Sequence, residues 1–222
     1  MDIQLYETIK GNGETIILLH GNNEDHTFFV HQIYALSRFY RVIALDTRGH
    51  GRSQRGKEPF TIRQFVQDVY EYMEQKQIEQ AHLLGFSDGG NIALLFAIQY
   101  PKKVIKLIID GANLDPSGVK KKFQIPTNIE YYISNKINKN SKKTEMLRLM
   151  VNDPNINHDD LKKIQSPTLV VAGTKDDIKE SHTRLIATLI PNSKLCFIDG
   201  DHFVAYKNPS QFNDAILTFL ND

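Results

Sequence analysis

The sequence is poor in cysteine and contains no long apolar segment. Its only cysteine is Cys196, so no disulfide can form within the chain of 222 residues. Cys196 lies in the apolar run 194–198, where we expect a small buried side chain rather than a reactive thiol. No apolar run approaches the ~20 residues that cross a bilayer, and residues 1–4 lack the basic and apolar regions of a signal peptide. These absences favour a cytoplasmic protein that does not bind membranes.

An excess of charge of one sign is also absent. The chain has 27 Lys and Arg against 26 Asp and Glu, a formal net charge of +1 at pH 7. Nothing in this balance points to a nucleic-acid partner. The sequence shows no metal-ligand spacing and no glycine-rich phosphate loop of the Walker type. We therefore expect neither a metal nor a cofactor, and the sequence leaves the oligomeric state open.

Short apolar runs alternate with helical patterns along most of the chain. The runs are rich in Val, Ile and Leu, which is typical of parallel strands that are buried on both faces. They lie at residues 15–19, 42–45, 81–86, 104–109, 168–172 and 194–198, and a weaker strand pattern covers 4–8. Apolar residues at helical spacing occur at 61–77, 91–98, 181–190 and 209–220. The alternation predicts an α/β fold with a mostly parallel central sheet flanked by helices.

One interval, about 113–163, interrupts this alternation. It contains ten Lys or Arg and six Asp or Glu, so it is more basic than the rest of the chain. Such a long connection should have helices of its own, and 129–137 and 143–151 are the best candidates. We predict a short helical cap inserted into a single α/β domain that spans residues 1–222.

The most informative motif is the sequence Gly-Phe-Ser-Asp-Gly at 85–89. It lies between the predicted strand 81–86 and a helical pattern, the context of a nucleophile elbow. In such an elbow, a strained turn exposes the serine hydroxyl at the end of a helix, and small neighbours leave room for it. We therefore predict that Ser87 is a catalytic nucleophile.

A serine hydroxyl needs a base to remove its proton and an acid to orient the base. Three histidines follow Ser87, and His202 lies in the loop just after the last predicted strand. His182 lies on a predicted helix, and His158 lies in the insertion. We predict that His202 is the general base.

Several aspartates could orient this base. Asp176 and its neighbour Asp177 follow the strand 168–172, and Asp176 is the preferred candidate. Asp110 ends the strand 104–109 and is the alternative acid. Aspartates are also common in turns and helix caps, so position alone does not decide between them.

The oxyanion of an acyl-transfer reaction needs backbone N–H donors. Asp88 follows the nucleophile and begins a helix, whose dipole favours negative charge. The second donor is expected in the loop after the strand 15–19, and the N–H of Asn22 is preferred. We expect His20 to make structural hydrogen bonds rather than to act as a base.

Together these motifs resemble those of the serine α/β-hydrolases, in the branch of esterases, C–C bond hydrolases and cofactor-free haloperoxidase-like proteins. The matching segments are 20–22, 46–53, 85–89, 173–176 and 200–203. The resemblance implies that Asp176 is the acid, although some members place the acid where Asp110 lies. It also implies a structural role for 46–53. The chain departs from the family in having one strand candidate, rather than two, before residue 15.

The sequence therefore predicts a serine hydrolase that acts on a small-molecule, ester-like substrate. An acyl-enzyme would form on Ser87, and His202 would then activate water. Hydrolysis of a C–C bond, a lactone or a thioester would use the same triad. A non-enzymatic receptor or interaction module on the same fold is the alternative from another class.

Overall fold

A mostly parallel sheet forms the centre of the computed structural model, which describes residues 2–222. Within this part of the chain its seven strands have the order β1-β3-β2-β4-β5-β6-β7. Their bounds are β1 Glu7–Lys10, β2 Thr15–Leu19, β3 Arg41–Leu45, β4 Ala81–Phe86, β5 Val104–Asp110, β6 Thr168–Gly173 and β7 Ser193–Ile198. Only β1 runs antiparallel to its neighbour, β3. Because the other six strands are parallel, their carboxyl ends meet at one edge.

Helices cover both faces of the sheet. Their bounds are α1 Val30–Leu36, α2 Ile62–Gln75, α3 Asp88–Gln99, α4 Lys121–Ile137, α5 Lys142–Asn152, α6 His158–Leu161, α7 Glu180–Leu189, α8 Val204–Lys207 and α9 Pro209–Asn221. Helices α2, α3 and α7 pack with Ile17 and Leu19 of β2 on one side. Helices α1 and α9 pack with Ile16 and Leu18 on the other. Alternate side chains of one strand thus enter two separate cores, which explains its continuous apolar sequence.

The predicted fold class is confirmed, and the strand predictions from residue 15 onward agree with the structure to within one residue at each end. The first strand is wrong by a few residues, since β1 covers Glu7–Lys10 rather than 4–8. Ile3 and Leu5 are buried although they lie outside any strand. Their alternation with polar residues resembled a strand, whereas they anchor an irregular segment against the core.

The basic interval between β5 and β6 contains α4, α5 and α6. Helix α4 begins at Lys121, eight residues earlier than predicted, and it includes Pro126. The description of 113–163 as a cap on a single domain stays a prediction. Across residues 2–222, no helix has both the length and the apolarity needed to span a membrane.

Residues 46–53, in the loop after β3, hold the loop after β2 in place. Buried Arg48 donates from Nε and Nη2 to the two carboxylate oxygens of Asp68 on α2, at 2.7 and 2.6 Å. Asp46 accepts hydrogen bonds from the N–H groups of His26 and Arg52. Next to Arg48, the Thr47 N–H donates to His20 Nε2 at 3.0 Å. The segment 46–53 therefore supports the loop after β2, as a structural motif would.

Replacing Arg48 with Met should strongly destabilise the fold. The change leaves the Asp68 carboxylate buried without its charged partner, which costs about 3–5 kcal/mol in free energy of unfolding. Lys162→Met is the control, because Lys162 pairs with Asp159 on an exposed surface, where such pairs contribute about 0–1 kcal/mol. Urea unfolding of both variants measures the difference. Equal losses would contradict this account of the loop.

Candidate active site

Ser87 occupies a strained turn between β4 and α3. Its φ is 52° and its ψ is −118°, a conformation rare for any residue but glycine. The close approach of the neighbouring chain requires Gly89, because a Cβ there would lie 1.9 Å from the carbonyl oxygen of Leu19. A Cβ on Gly85 would lie 2.2 Å from the Gly89 oxygen. The elbow geometry predicted from the glycine spacing is therefore present.

His202 lies in the loop after β7, within hydrogen-bond distance of Ser87. The His202 Nε2 atom is 3.0 Å from Ser87 Oγ, and the Nδ1 atom is 2.7 Å from Asp176 Oδ1. A carboxylate can only accept a hydrogen bond, so Nδ1 carries the proton and Nε2 of the neutral ring can accept from the serine hydroxyl. The structure thus brings together the three residues predicted as nucleophile, base and acid.

Asp176 is held in place by the turn that follows β6. The N–H groups of Ile178 and Gly173 donate to its two carboxylate oxygens at 2.8 and 3.2 Å. Burial alone would raise the pKa of Asp176, but the hydrogen bond and charge of His202, with these N–H donors, lower it. For His202, burial would lower the pKa, but the hydrogen bond and charge of Asp176 raise it above the ordinary value.

The side chains of the other candidate residues do not join this hydrogen-bonded series. Both carboxyl oxygens of Asp110 are buried without a hydrogen-bond partner among the described residues, and burial raises its pKa well above the ordinary value. Asp177 lies at the edge of the cavity beside Ser87. His182 Nε2 accepts a hydrogen bond from the Leu114 N–H, and His158 begins α6 on the surface. The Asp110 backbone carbonyl accepts a hydrogen bond from the Ser87 N–H at 2.8 Å, but none of these four side chains makes a hydrogen bond to His202 or Ser87.

The two predicted oxyanion donors, Asn22 and Asp88, line the same cavity as Ser87. Within residues 2–222, neither backbone N–H donates to another protein group. The Asn22 side chain donates to Asp88 Oδ2 at 2.9 Å and to the Met146 carbonyl of α5 at 3.1 Å. This side-chain link between the two donor loops has no counterpart in the sequence pattern.

His20 supports the first of these loops. Since the Thr47 N–H donates to its Nε2 atom, Nδ1 carries the proton and donates to the Gly21 carbonyl at 2.7 Å. Burial lowers the pKa of His20, so the ring is neutral, and both of its nitrogens make hydrogen bonds. The structural role expected for His20 agrees with these bonds.

A cavity of about 250 Å³ opens beside Ser87 and His202. Its lining residues come from the loops after β2, β4, β5, β6 and β7 and from α4 and α5. Glu24 also lines it, and burial raises the pKa of this carboxyl to about 7. The sequence analysis missed Glu24, although it lies only two residues beyond the predicted donor Asn22.

No cluster suited to a metal lines this cavity. In the described part of the chain, only Asp25, His26 and Asp46 bring three potential ligand atoms within 4.8 Å of one another. They lie outside the cavity lining, and Asp46 Oδ1 already accepts hydrogen bonds from the His26 backbone N–H and imidazole. The cluster is explained by the ordering of the loops that it connects.

Comparison with known proteins agrees with this fold. A sequence model of the alpha/beta hydrolase fold matches residues 14–128, about half of the chain. The chain belongs to the α/β-hydrolase fold family. A relative from Caulobacter sp. strain K31, named "Putative carbamate hydrolase RutD", is 27% identical over 256 aligned positions, which cover 98% of this chain and 96% of that protein.

Solved structures agree with the same assignment. Est816, described as an N-acyl homoserine lactone degrading enzyme, has a TM-score of 0.79 and 26% identity, covering 98% of this chain and 97% of that one. The enol-lactonase from Burkholderia xenovorans LB400 has a TM-score of 0.81 and 21% identity, covering 99% and 97%, and supports the fold alone. The predictions of family and of a hydrolase enzyme are confirmed.

The bond between Asp176 and His202 predicts a change in titration. Asp176→Asn removes the negative charge that stabilises the imidazolium, so the pKa of His202 should fall. NMR of the His202 Cε1 proton across a pH series measures this pKa. Asp110→Asn is the matched control, because the Asp110 carboxyl makes no hydrogen bond to His202 and burial raises its pKa well above the ordinary value. A larger fall in the Asp110 variant would transfer the orienting role to Asp110.

Proposed function

We propose that this chain is a serine hydrolase that cleaves carboxylic esters through an acyl-enzyme on Ser87. The observation that carries the proposal is the hydrogen-bonded series Asp176–His202–Ser87, with separations of 2.7 and 3.0 Å. This series reaches the cavity wall, where a substrate carbonyl can meet the serine hydroxyl. A receptor would need neither the strained serine nor the oriented imidazole.

The first half of the reaction forms the acyl-enzyme. His202 Nε2 accepts the proton of Ser87 as Oγ attacks the carbonyl carbon of the ester. The carbonyl oxygen becomes an oxyanion, which accepts hydrogen bonds from the N–H groups of Asn22 and Asp88. The imidazolium then gives its proton to the departing alcohol oxygen as the C–O bond breaks.

Water completes the cycle by the same route. His202 removes a proton from water, whose oxygen attacks the acyl carbon, and the imidazolium returns the proton to Ser87 Oγ as the acid leaves. Asp176 keeps the proton on Nδ1 throughout and stabilises the charged ring. The bond from Asn22 to Asp88 keeps the two oxyanion donors at a fixed separation.

The same mechanism can act on any acyl substrate whose carbonyl the serine can attack, and esters are the class proposed here. RutD is named for carbamates and Est816 for a lactone, and both substrates contain a carbonyl that a serine can attack. A panel of esters, lactones, thioesters, carbamates and a C–C cleavage substrate therefore tests the class. The proposal is supported if the esters have the highest kcat/KM of the panel. It is overturned if only the C–C substrate is turned over.

Removing single members of the triad should lower activity severely and without additivity. Ser87→Ala should abolish turnover of p-nitrophenyl acetate, and His202→Ala should cost about as much, because the residues act as a unit. Asp176→Asn should lower kcat by ~10⁴, the loss seen when a triad acid can no longer select the tautomer. Asp177→Asn is the neighbouring control and should be mild. A double variant far slower than either single variant would contradict the shared role.

Activity should decline as pH falls through the pKa of His202. That pKa is raised above the ordinary value, so the ring takes up its proton below that raised value and can no longer accept the serine proton. We expect kcat/KM to follow one limb on the acid side. Glu24→Gln is the control, because Glu24 titrates at about pH 7. The limb should persist in this variant, and its disappearance would assign the profile to Glu24.

A further inference from the structure

Among the described residues that line the cavity beside Ser87, the ionisable side chains are acids and His202. Its ionisable lining groups within residues 2–222 are His202 and the carboxyls of Glu24, Asp88, Asp153 and Asp177. Lys and Arg are absent from this described lining, although the chain as a whole has balanced charge. A substrate that enters the cavity therefore meets carboxyl groups on several sides.

The lysines at the start of the basic interval lie outside the cavity lining. The ammonium group of Lys120 donates to the carbonyl oxygen of Asp176, and Lys122 lies over the Phe123 ring at 4.6 Å from its centre. Neither lysine is part of the cavity lining. The charge of Lys122 opposes the rise in the pKa of Asp177 that burial causes, so one of the four carboxyls has a nearby cation.

Asp88 is fixed next to the nucleophile. Its two carboxyl oxygens accept hydrogen bonds from the side chains of Asn22 and Asn91, at 2.9 and 3.4 Å. Burial, followed by the charge of Asp153, raises the pKa of Asp88 to about 6. A positively charged ligand would offset both causes, since it stabilises the ionised carboxylate.

The arrangement suits an organic cation better than a metal ion. Glu24, Asp88, Asp153 and Asp177 do not bring three ligand atoms together at metal-binding distances. The aromatic rings of Phe86, Phe123 and Phe203 also line the cavity. Ammonium groups of Lys122 and Lys207 already lie over the Phe123 and Phe203 rings, at 4.6 and 5.3 Å from their centres. The separated carboxylates therefore carry the argument, since they attract an alkylammonium group, which needs no close coordination shell.

We propose that this cavity selects esters that carry an alkylammonium group, protonated or quaternary, with Asp88 and Glu24 as the residues that recognise the cation. The proposal rests on the ester hydrolysis proposed above and names its substrate class. Asp88 lies beside the reacting serine, and Glu24 lies on the loop that carries the oxyanion donor Asn22. An ester with a carboxylate in the same position would be repelled.

Matched esters test this selectivity in the wild-type protein. Ethyl β-alaninate and ethyl butyrate have the same shape, but the first carries an ammonium group in its acyl part. Acetylcholine and 3,3-dimethylbutyl acetate also have the same shape, and acetylcholine carries its ammonium group in the alcohol part. Monoethyl succinate supplies the anion. Each kcat/KM is divided by the rate constant of the ester with hydroxide, which removes differences in intrinsic reactivity.

We expect the cationic member of at least one pair to exceed its neutral partner by about tenfold or more, as for opposite charges in a partly buried site. Monoethyl succinate should be the poorest substrate. Asp88→Asn and Glu24→Gln should each reduce the ratio of cationic to neutral turnover. Asp159→Asn is the control, because it removes an exposed carboxylate outside the cavity and should leave the ratio unchanged.

The outcomes separate this proposal from the function on which it rests. If neutral esters are cleaved and Ser87→Ala abolishes their cleavage, but charge makes no difference, ester hydrolysis stands and the cation proposal is overturned. A preference that survives in both Asp88→Asn and Glu24→Gln overturns the role of these two residues. If the protein cleaves none of the esters, the proposed function fails and the cation proposal fails with it.

Discussion

The close contact between the start of α3 and the ends of β2 and β4 is the constraint on which the site depends. At Gly89 the chains approach so closely that even a methyl group would overlap the Leu19 carbonyl. In the turn before it, Ser87 has a positive φ, and its hydroxyl lies within hydrogen-bond distance of His202. The same contact places the Asp88 N–H beside the loop that carries Asn22. Backbone packing thus sets the geometry on which the proposed chemistry relies.

The parallel sheet explains how distant residues converge on this turn. Ser87, Asp176 and His202 follow β4, β6 and β7, and the carboxyl ends of these strands share one edge. Ser87 and His202 are 115 positions apart in the chain, yet they lie within hydrogen-bond distance. The buried Arg48–Asp68 pair and the neutral His20 ring hold the loop after β2 at the same edge.

Much of this arrangement is predictable from the sequence because its signals are local. The glycine spacing at 85–89 indicates the elbow, and the acid and base each follow an apolar strand. The charge of the cavity is not predictable in this way, since Glu24, Asp88 and Asp153 meet only through tertiary contacts. Neither is the bond from Asn22 to Asp88, which joins residues 66 positions apart. Composition was also misleading here, because the basic interval contributes Asp153 to a cavity that its lysines do not line.

Covalent labelling tests the central claim, an activated Ser87, most directly. The wild-type protein is treated with a fluorophosphonate, and peptide mass spectrometry locates the adduct. The account predicts one adduct on Ser87, much slower labelling in His202→Ala and none in Ser87→Ala. Because the reagent resembles the tetrahedral state of acyl transfer, the result does not depend on knowing the substrate. Absence of an adduct in the wild-type protein, or an adduct that forms equally fast without His202, would contradict the account.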